Sequence, residues 1–217
     1  MGPLMRWLTG WRSATPPNEN RWVMLDVETS GLDAKRDRLL AIAAIGLQVD
    51  WPRQTLHIDL GDSFEGVLQQ DHASSHANIL LHGIGVQEQR AGLAPAQALQ
   101  AFRRFVGHSP LLAFHSAFDE AVIQRHMTLH QLAKLPNPWL DLDHLCAVTH
   151  EGVRARALDD WLHHFKIECS VRHQAAADTL AECELLQRIW PSIASQCRQW
   201  SDVQNLASQQ RWLPRAG

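Results

Sequence analysis

Tyrosine is missing from the 217 residues, cysteine is sparse at four, and neither sign of charge dominates, the formal net charge being −3. A nearly neutral, slightly acidic chain has no broad positive field with which to coat long duplex DNA, so a nucleic-acid partner would have to be gripped locally, at an end or in a groove. Cys146, Cys169, Cys183 and Cys197 are widely spaced and form no C-x-x-C. That excludes a zinc ribbon and a disulfide framework and fits reduced thiols. The longest nearly apolar run, Leu39 to Leu47, is nine residues, whereas a membrane span needs about 20. The N-terminus has no apolar run of signal-peptide length, and Arg6 stands where a myristoylation motif needs Ser or Thr. A cytoplasmic, soluble protein without a membrane partner is expected. There is no internal repeat and no low-complexity segment.

What is present fits one sizeable domain with a real core. The nine Trp are expected mostly in the core or in surface patches. The stretch Trp22-Val23-Met24-Leu25-Asp26-Val27-Glu28-Thr29-Ser30-Gly31 organises the rest: an apolar strand, two carboxylates in the pattern D-x-E, then a turn. Residues i and i+2 of a strand share a face, so Asp26 and Glu28 project side by side. Like charges that close raise each other's pKa unless a cation intervenes, and for hard oxygen donors that cation is Mg²⁺ or Mn²⁺. By itself D-x-E is common, and equally describes a strand running into a polar turn.

Residues 1–20 read as a flexible leader ending in Pro16-Pro17-Asn18, with Trp7 and Trp11 four apart. Strands are expected at 22–27, 39–49 and 54–60, joined by short turns and hence antiparallel. The middle one is apolar on both faces, so helices should cover both sides of the sheet. From residue 70 the pattern turns helical: a short helix capped by Ser75, helices at 94–106, 117–130, 157–165 and 174–190, and short strands at 110–114 and 139–142. Pro191 should kink or restart the last helix, with a helical tail over 191–217. Three meandering strands followed by alternating strands and helices describe a mixed α/β sheet.

Two later acids stand out. Asp119 ends the segment His115-Ser116-Ala117-Phe118-Asp119 after a short strand, where an acid is commonly just a partner for the helix dipole. Asp178 follows three alanines in His173-Gln174-Ala175-Ala176-Ala177-Asp178. An acid on a packed helix needs a partner, and a metal shared with Asp26 and Glu28 would supply one. His173 and Asp178, five residues apart, cannot face one point from one regular helix, which places His173 just before the helix start.

Asp26-x-Glu28-Thr29-x-Gly31, then His115…Asp119, then His173…Asp178, in this order, resemble the DEDDh 3′–5′ exonucleases, which include the proofreading epsilon subunit of bacterial DNA polymerase III, RNase T and oligoribonuclease. Between the motifs, Leu81-His82-Gly83-Ile84 and Leu158…Leu162 followed by Phe165-Lys166-Ile167 are similar to further family segments, so the likeness covers roughly residues 20–190. One departure is Ser116, where the family usually has Asn; it puts substrate preference in doubt.

The resemblance implies an RNase H-like five-stranded sheet, three antiparallel strands then parallel ones, with a nuclease domain over 21–190. It implies two Mg²⁺ or Mn²⁺ ions held by Asp26, Glu28, Asp119 and Asp178, with His173 as general base. It implies a pocket for the 3′-terminal nucleotide lined by Val27, Thr29, Ser30 and His115. Arg172, Arg154 and Arg156 are candidates for backbone phosphates, or ordinary solvated charges. The expected reaction releases nucleoside monophosphates from the 3′ ends of single-stranded DNA or RNA. A stand-alone DNA exonuclease is the first reading; a proofreading polymerase subunit and an RNA-directed enzyme are the alternatives, and a homodimer or a polymerase partner is compatible with each. A non-catalytic nucleic-acid-binding module is the reading from a different class. His72/His76 and His126/His130, each at i, i+4, leave a zinc pair as the remaining competitor.

Overall fold

The computed structural model describes residues 18–155 and 157–213. Most of the expected leader, Arg156 and the end of the expected tail lie outside the described residues. Five strands, β1 (Arg21–Thr29), β2 (Leu39–Asp50), β3 (Thr55–Val67), β4 (Leu111–Ala113) and β5 (Trp139–Asp141), form one sheet in the order β3-β2-β1-β4-β5. The pairs β1/β2 and β2/β3 are antiparallel, and β1/β4 and β4/β5 are parallel. The helices are α1 (His76–His82), α2 (Val86–Ala91), α3 (Pro95–Val106), α4 (Ala117–Leu129), α5 (Leu142–Thr149), α6 (Leu158–Phe165), α7 (Ala175–Ala194) and α8 (Trp200–Ser208). This is the mixed sheet, helices on both faces, that the patterning called for.

The alternation of β1 divides the core. Trp22 and Met24 point to the face covered by α5, α6, α7 and α8, while Val23, Leu25 and Val27 point to the face covered by α3 and α4. β2 is buried from Leu39 to Leu47 because both faces are covered. On the first face Trp22 meets Trp51, Trp190 and Trp200, and the Trp22 and Trp51 indole N–H groups both donate to the Glu19 carbonyl.

Three elements differ from the expected pattern. β3 runs on to Val67, because a register shift at Ile45/Gly46 absorbs the turn-like Leu60-Gly61-Asp62 as a bulge. Gly46 makes that possible: a Cβ there would lie 2.0 Å from an Asp62 carboxylate oxygen. Asp62 in turn binds Arg21 at 2.6 and 2.9 Å, and Arg21 donates to Ser109 at 2.8 Å, tying β1 to β3 and to the entry of β4. α2, only six residues, was not anticipated. α7 continues through Pro191 to Ala194, and α8 buries Trp200, Val203, Leu206 and Ala207 in the core. Among the described residues, no helix is long and apolar enough to cross a membrane.

Candidate active site

The alternation that sends Trp22 and Met24 toward α7 sends the next two residues of that face, Asp26 and Glu28, the same way. β1 ends there in a register shift between Glu28 and Thr29, with the Thr29 hydroxyl donating to the Gly31 carbonyl at 2.6 Å. Beside it the parallel strand β4 ends at Ala113. The chain turns through His115 in the left-handed region (φ 59°) into α4, whose first turn carries the buried Asp119. His173 is also left-handed (φ 61°) and sits just ahead of α7, which brings Asp178 across the sheet from above. Such a conformation costs a non-glycine residue roughly 1–2 kcal/mol, so both histidine turns are held by their surroundings. The site lies at the carboxyl ends of adjacent parallel strands, where open α/β sheets place their ligands.

Asp26, Glu28, Asp119, His173 and Asp178 line one cavity of about 510 Å³, together with Val27, Thr29, His115 and Arg172. Ser30 lies elsewhere: its hydroxyl bonds Asp37 and accepts the Arg38 N–H, both at 2.9 Å, ordering the loop behind the cavity. Arg154 is exposed and borders a separate cleft with His163 and His164. The Ser116 side chain does not cap α4.

The carboxyls are crowded. Burial first, and Asp178 second, push Asp26 up to about 7. Burial, then Asp26 and Asp178, push Glu28 up to about 9. Asp119 is raised well above the usual carboxylate range by burial and by Asp26. Main-chain N–H groups oppose this: Val27 serves Asp26 and Asp119, and Ala175, the first residue of α7, serves Glu28. Asp178 is met by side chains as well. Arg172 Nη1 lies on its Oδ1, Cys169 Sγ is 3.5 Å from the same oxygen, and the His173 N–H donates to Oδ2 at 2.9 Å. The Arg172 Nε reaches Asp159 at 2.5 Å, and these two acids hold the guanidinium charged.

Among the described residues, no three Asp, Glu, His or Cys side chains already close around a point as an ion cage would; Asp178 is engaged by Arg172 instead. The chemistry of the donors nevertheless fits a hard divalent cation. They are carboxylate oxygens crowded on one cavity, and an arginine currently supplies the positive charge beside them.

Several contributors escaped the sequence reading. Glu182, on α7, is buried in the same cavity wall. Asp141, at the end of β5, accepts the His115 N–H at 3.0 Å and fixes that turn. The Leu81-His82-Gly83-Ile84 segment, singled out in the sequence without a role, gains one: His82 bonds Asn78 at 2.9 Å, and Asn78 donates to the Thr29 carbonyl at 3.0 Å, so it props the end of β1. Leu32 and Leu81 give the cavity an exposed apolar rim. The histidine pairs do not form zinc sites. His126 is buried with both ring nitrogens used, by the Val122 carbonyl and the Leu39 N–H. His72 precedes α1 rather than sharing it with His76, and both are exposed.

A family model described as Exonuclease (RNase T) matches residues 23–186. The chain belongs to this exonuclease family. Among its relatives is a PolC-type DNA polymerase III from Oceanobacillus iheyensis, 27% identical over 171 residues that make up 79% of this chain and 11% of the relative. A DNA polymerase III subunit epsilon-like protein from Rhodobacter capsulatus is 28% identical over 82% of this chain and 25% of its own length. Among solved structures, E. coli exonuclease I bound to a dT13 oligonucleotide superposes with a TM-score of 0.66 at 21% identity, covering 79% of this chain and 41% of that one. The exonuclease-family chain thus spans about a tenth of the PolC-type relative, a quarter of the epsilon-like one and under half of exonuclease I. The first two share sequence with it; the third shares the fold.

Proposed function

We propose that this exonuclease-family domain removes nucleotides one at a time from the 3′ end of single-stranded DNA, releasing nucleoside monophosphates. The observation that carries this reading is the convergence of Asp26, Glu28, Asp119 and Asp178 with His173 on one cavity. Those four carboxylates would hold two divalent cations, Mg²⁺ or Mn²⁺, which when bound lower the pKa of an attacking water and stabilise the leaving 3′ oxygen. His173, exposed at the cavity mouth, is placed to take the proton from that water, a task suited to imidazole near neutral pH. Val27 and Thr29 form the floor against which the terminal nucleotide rests. The apolar rim of Leu32 and Leu81 offers a base a surface off water. Arg172 and His115, on the same lining, would meet the phosphates.

DNA is favoured over RNA by the names of the polymerase relatives and by the oligonucleotide bound to exonuclease I. The same polymerase relatives support a second reading, that the domain proofreads for a DNA polymerase. The test is hydrolysis of 5′-labelled dT and rU oligonucleotides with Mg²⁺ or Mn²⁺, single-stranded and 3′-recessed, for wild type and Asp26→Asn. A ladder shortening from the 3′ end, lost in the variant by about 10³-fold or more, is expected. Wild-type digestion by Asp26→Asn would sink the centre as drawn, and exclusive digestion of rU would sink the choice of DNA. A rate confined to 3′-recessed duplex would favour proofreading.

A further inference from the structure

Glu182 stands one helical turn beyond Asp178, and i, i+4 spacing puts both on the same face of α7. It is only 2% exposed, yet it lines the cavity that holds Asp26, Asp119 and Asp178. The Phe114 N–H, just past β4, acts on its carboxyl group from across the cavity wall. One oxygen, Oε2, is sealed from solvent and has no hydrogen-bond partner. The charges that act on Glu182 are Asp26, Asp119 and Asp178, all of the same sign.

A buried oxygen left without a partner destabilises the fold, and an apolar side chain of similar size would avoid that cost. Packing therefore does not explain a glutamate here. Nor, as placed, is it a carboxylic acid donating to a neighbouring carboxylate, because Oε2 bonds none. What does suit a buried carboxylate with one unpartnered oxygen, lining one cavity with three further carboxylates whose charge it feels, is a cation among them.

We propose that Glu182 is a fifth carboxylate of the cation centre, lending its charge to divalent-cation binding beside Asp26, Asp119 and Asp178. The inference rests on the two-cation reading above and adds a residue to it. With Glu182 the centre carries five acids, so its hold on the cations is stronger than four carboxylates would give. Carboxylate partners around a metal site are typically worth about 10- to 100-fold in affinity.

The test is calorimetric titration of the chelator-stripped full chain with MnCl₂, with the Mn²⁺-induced rise in Tm as a second readout. Glu182→Gln keeps the shape and removes the charge. Its Mn²⁺ affinity should fall tenfold or more while its metal-free Tm holds or rises. Glu184→Gln, two residues along the same helix and outside the cavity, should bind as wild type does. Wild-type affinity in Glu182→Gln overturns the inference. Asp26→Asn separates the two levels: if it loses Mn²⁺ while Glu182→Gln does not, only the fifth carboxylate falls, and if both bind as wild type, the cation centre falls with it. Should Glu182→Gln fail to fold, Glu182→Asp replaces it, and an affinity within twofold of wild type for a carboxylate drawn back by one methylene overturns the inference.

Discussion

The two walls of the cavity are built differently. On the β1 wall, Asp26 and Glu28 hang from a strand paired on both sides, and the groups that meet their oxygens are main-chain N–H donors of Val27 and Ala175. On the facing wall, Asp178 is met by Arg172, Cys169 and the amide of a left-handed His173, and Arg172 leans on Asp159, whose side chain is 64% exposed. Donors fixed by backbone cannot move when a charge arrives; a guanidinium on a long side chain can. One wall is preorganised, and on the other the arginine stands where a cation would bring its charge.

The sharpest way to break this contrast is at His173. If the adjustable wall carries the proton transfer, His173→Gln lowers turnover by about 10²- to 10⁴-fold and leaves Mn²⁺ affinity at its wild-type value in calorimetry. A parallel loss of metal binding would show that the histidine turn holds Asp178 rather than a proton.

A second test probes the rigid wall through pH. Burial and crowding raise Asp26 from 3.8 to about 7 and Glu28 from 4.5 to about 9. A carboxyl whose folded pKa exceeds its unfolded one binds more protons folded than unfolded between the two values, so stability declines as pH rises through that window. The metal-free protein should therefore lose stability from pH 4 to 9, by on the order of a few kcal/mol, and saturating Mn²⁺ should flatten the decline. Denaturant midpoints across that range, with and without metal, measure it; a metal-free midpoint that rises toward pH 9 would contradict the crowding.

The smallest effect is expected at Arg172. The Arg172 and Asp178 side chains are only 27% and 8% exposed, and in so buried a pair desolvation offsets much of the attraction, so Arg172→Ala should tighten Mn²⁺ by about fivefold or less, by removing its competitor. The same variant should raise the KM for an oligonucleotide, by removing a phosphate contact. Changes of the same sign in both would mean the arginine only braces Asp178.

The order of motifs was enough to bring Asp26, Glu28, Asp119, His173 and Asp178 toward one place, because each stands at the end of a strand or the start of a helix, where local pattern is strong. Residues that work through burial were not legible. Glu182 reads as an ordinary charge in Ala181-Glu182-Cys183-Glu184, and its inward direction depends on how α7 is rotated against the sheet. Asp141 reads as the end of a strand, and its bond to His115 depends on the pairing of β4 with β5. The expected strand over 54–60 stops where β3 bulges, and only the cross-strand partner Gly46 reveals that pairing resumes beyond the bulge. His126 and His130 share a helix spacing suited to zinc, but the β2 amide that claims His126 lies 87 residues away.

The tryptophan cluster gives this molecule an optical signature of its own. Trp22 has ring centroids 4.8 Å from Trp200, 5.7 Å from Trp190 and 5.9 Å from Trp51. Indoles so close and fixed in orientation couple electronically, and with no tyrosine in the chain nothing phenolic overlies their near-ultraviolet signal. Trp22 shares its strand with Asp26, and Trp200 opens α8. Near-ultraviolet circular dichroism therefore reports directly whether the C-terminal helix is seated on the strand that carries the first two carboxylates.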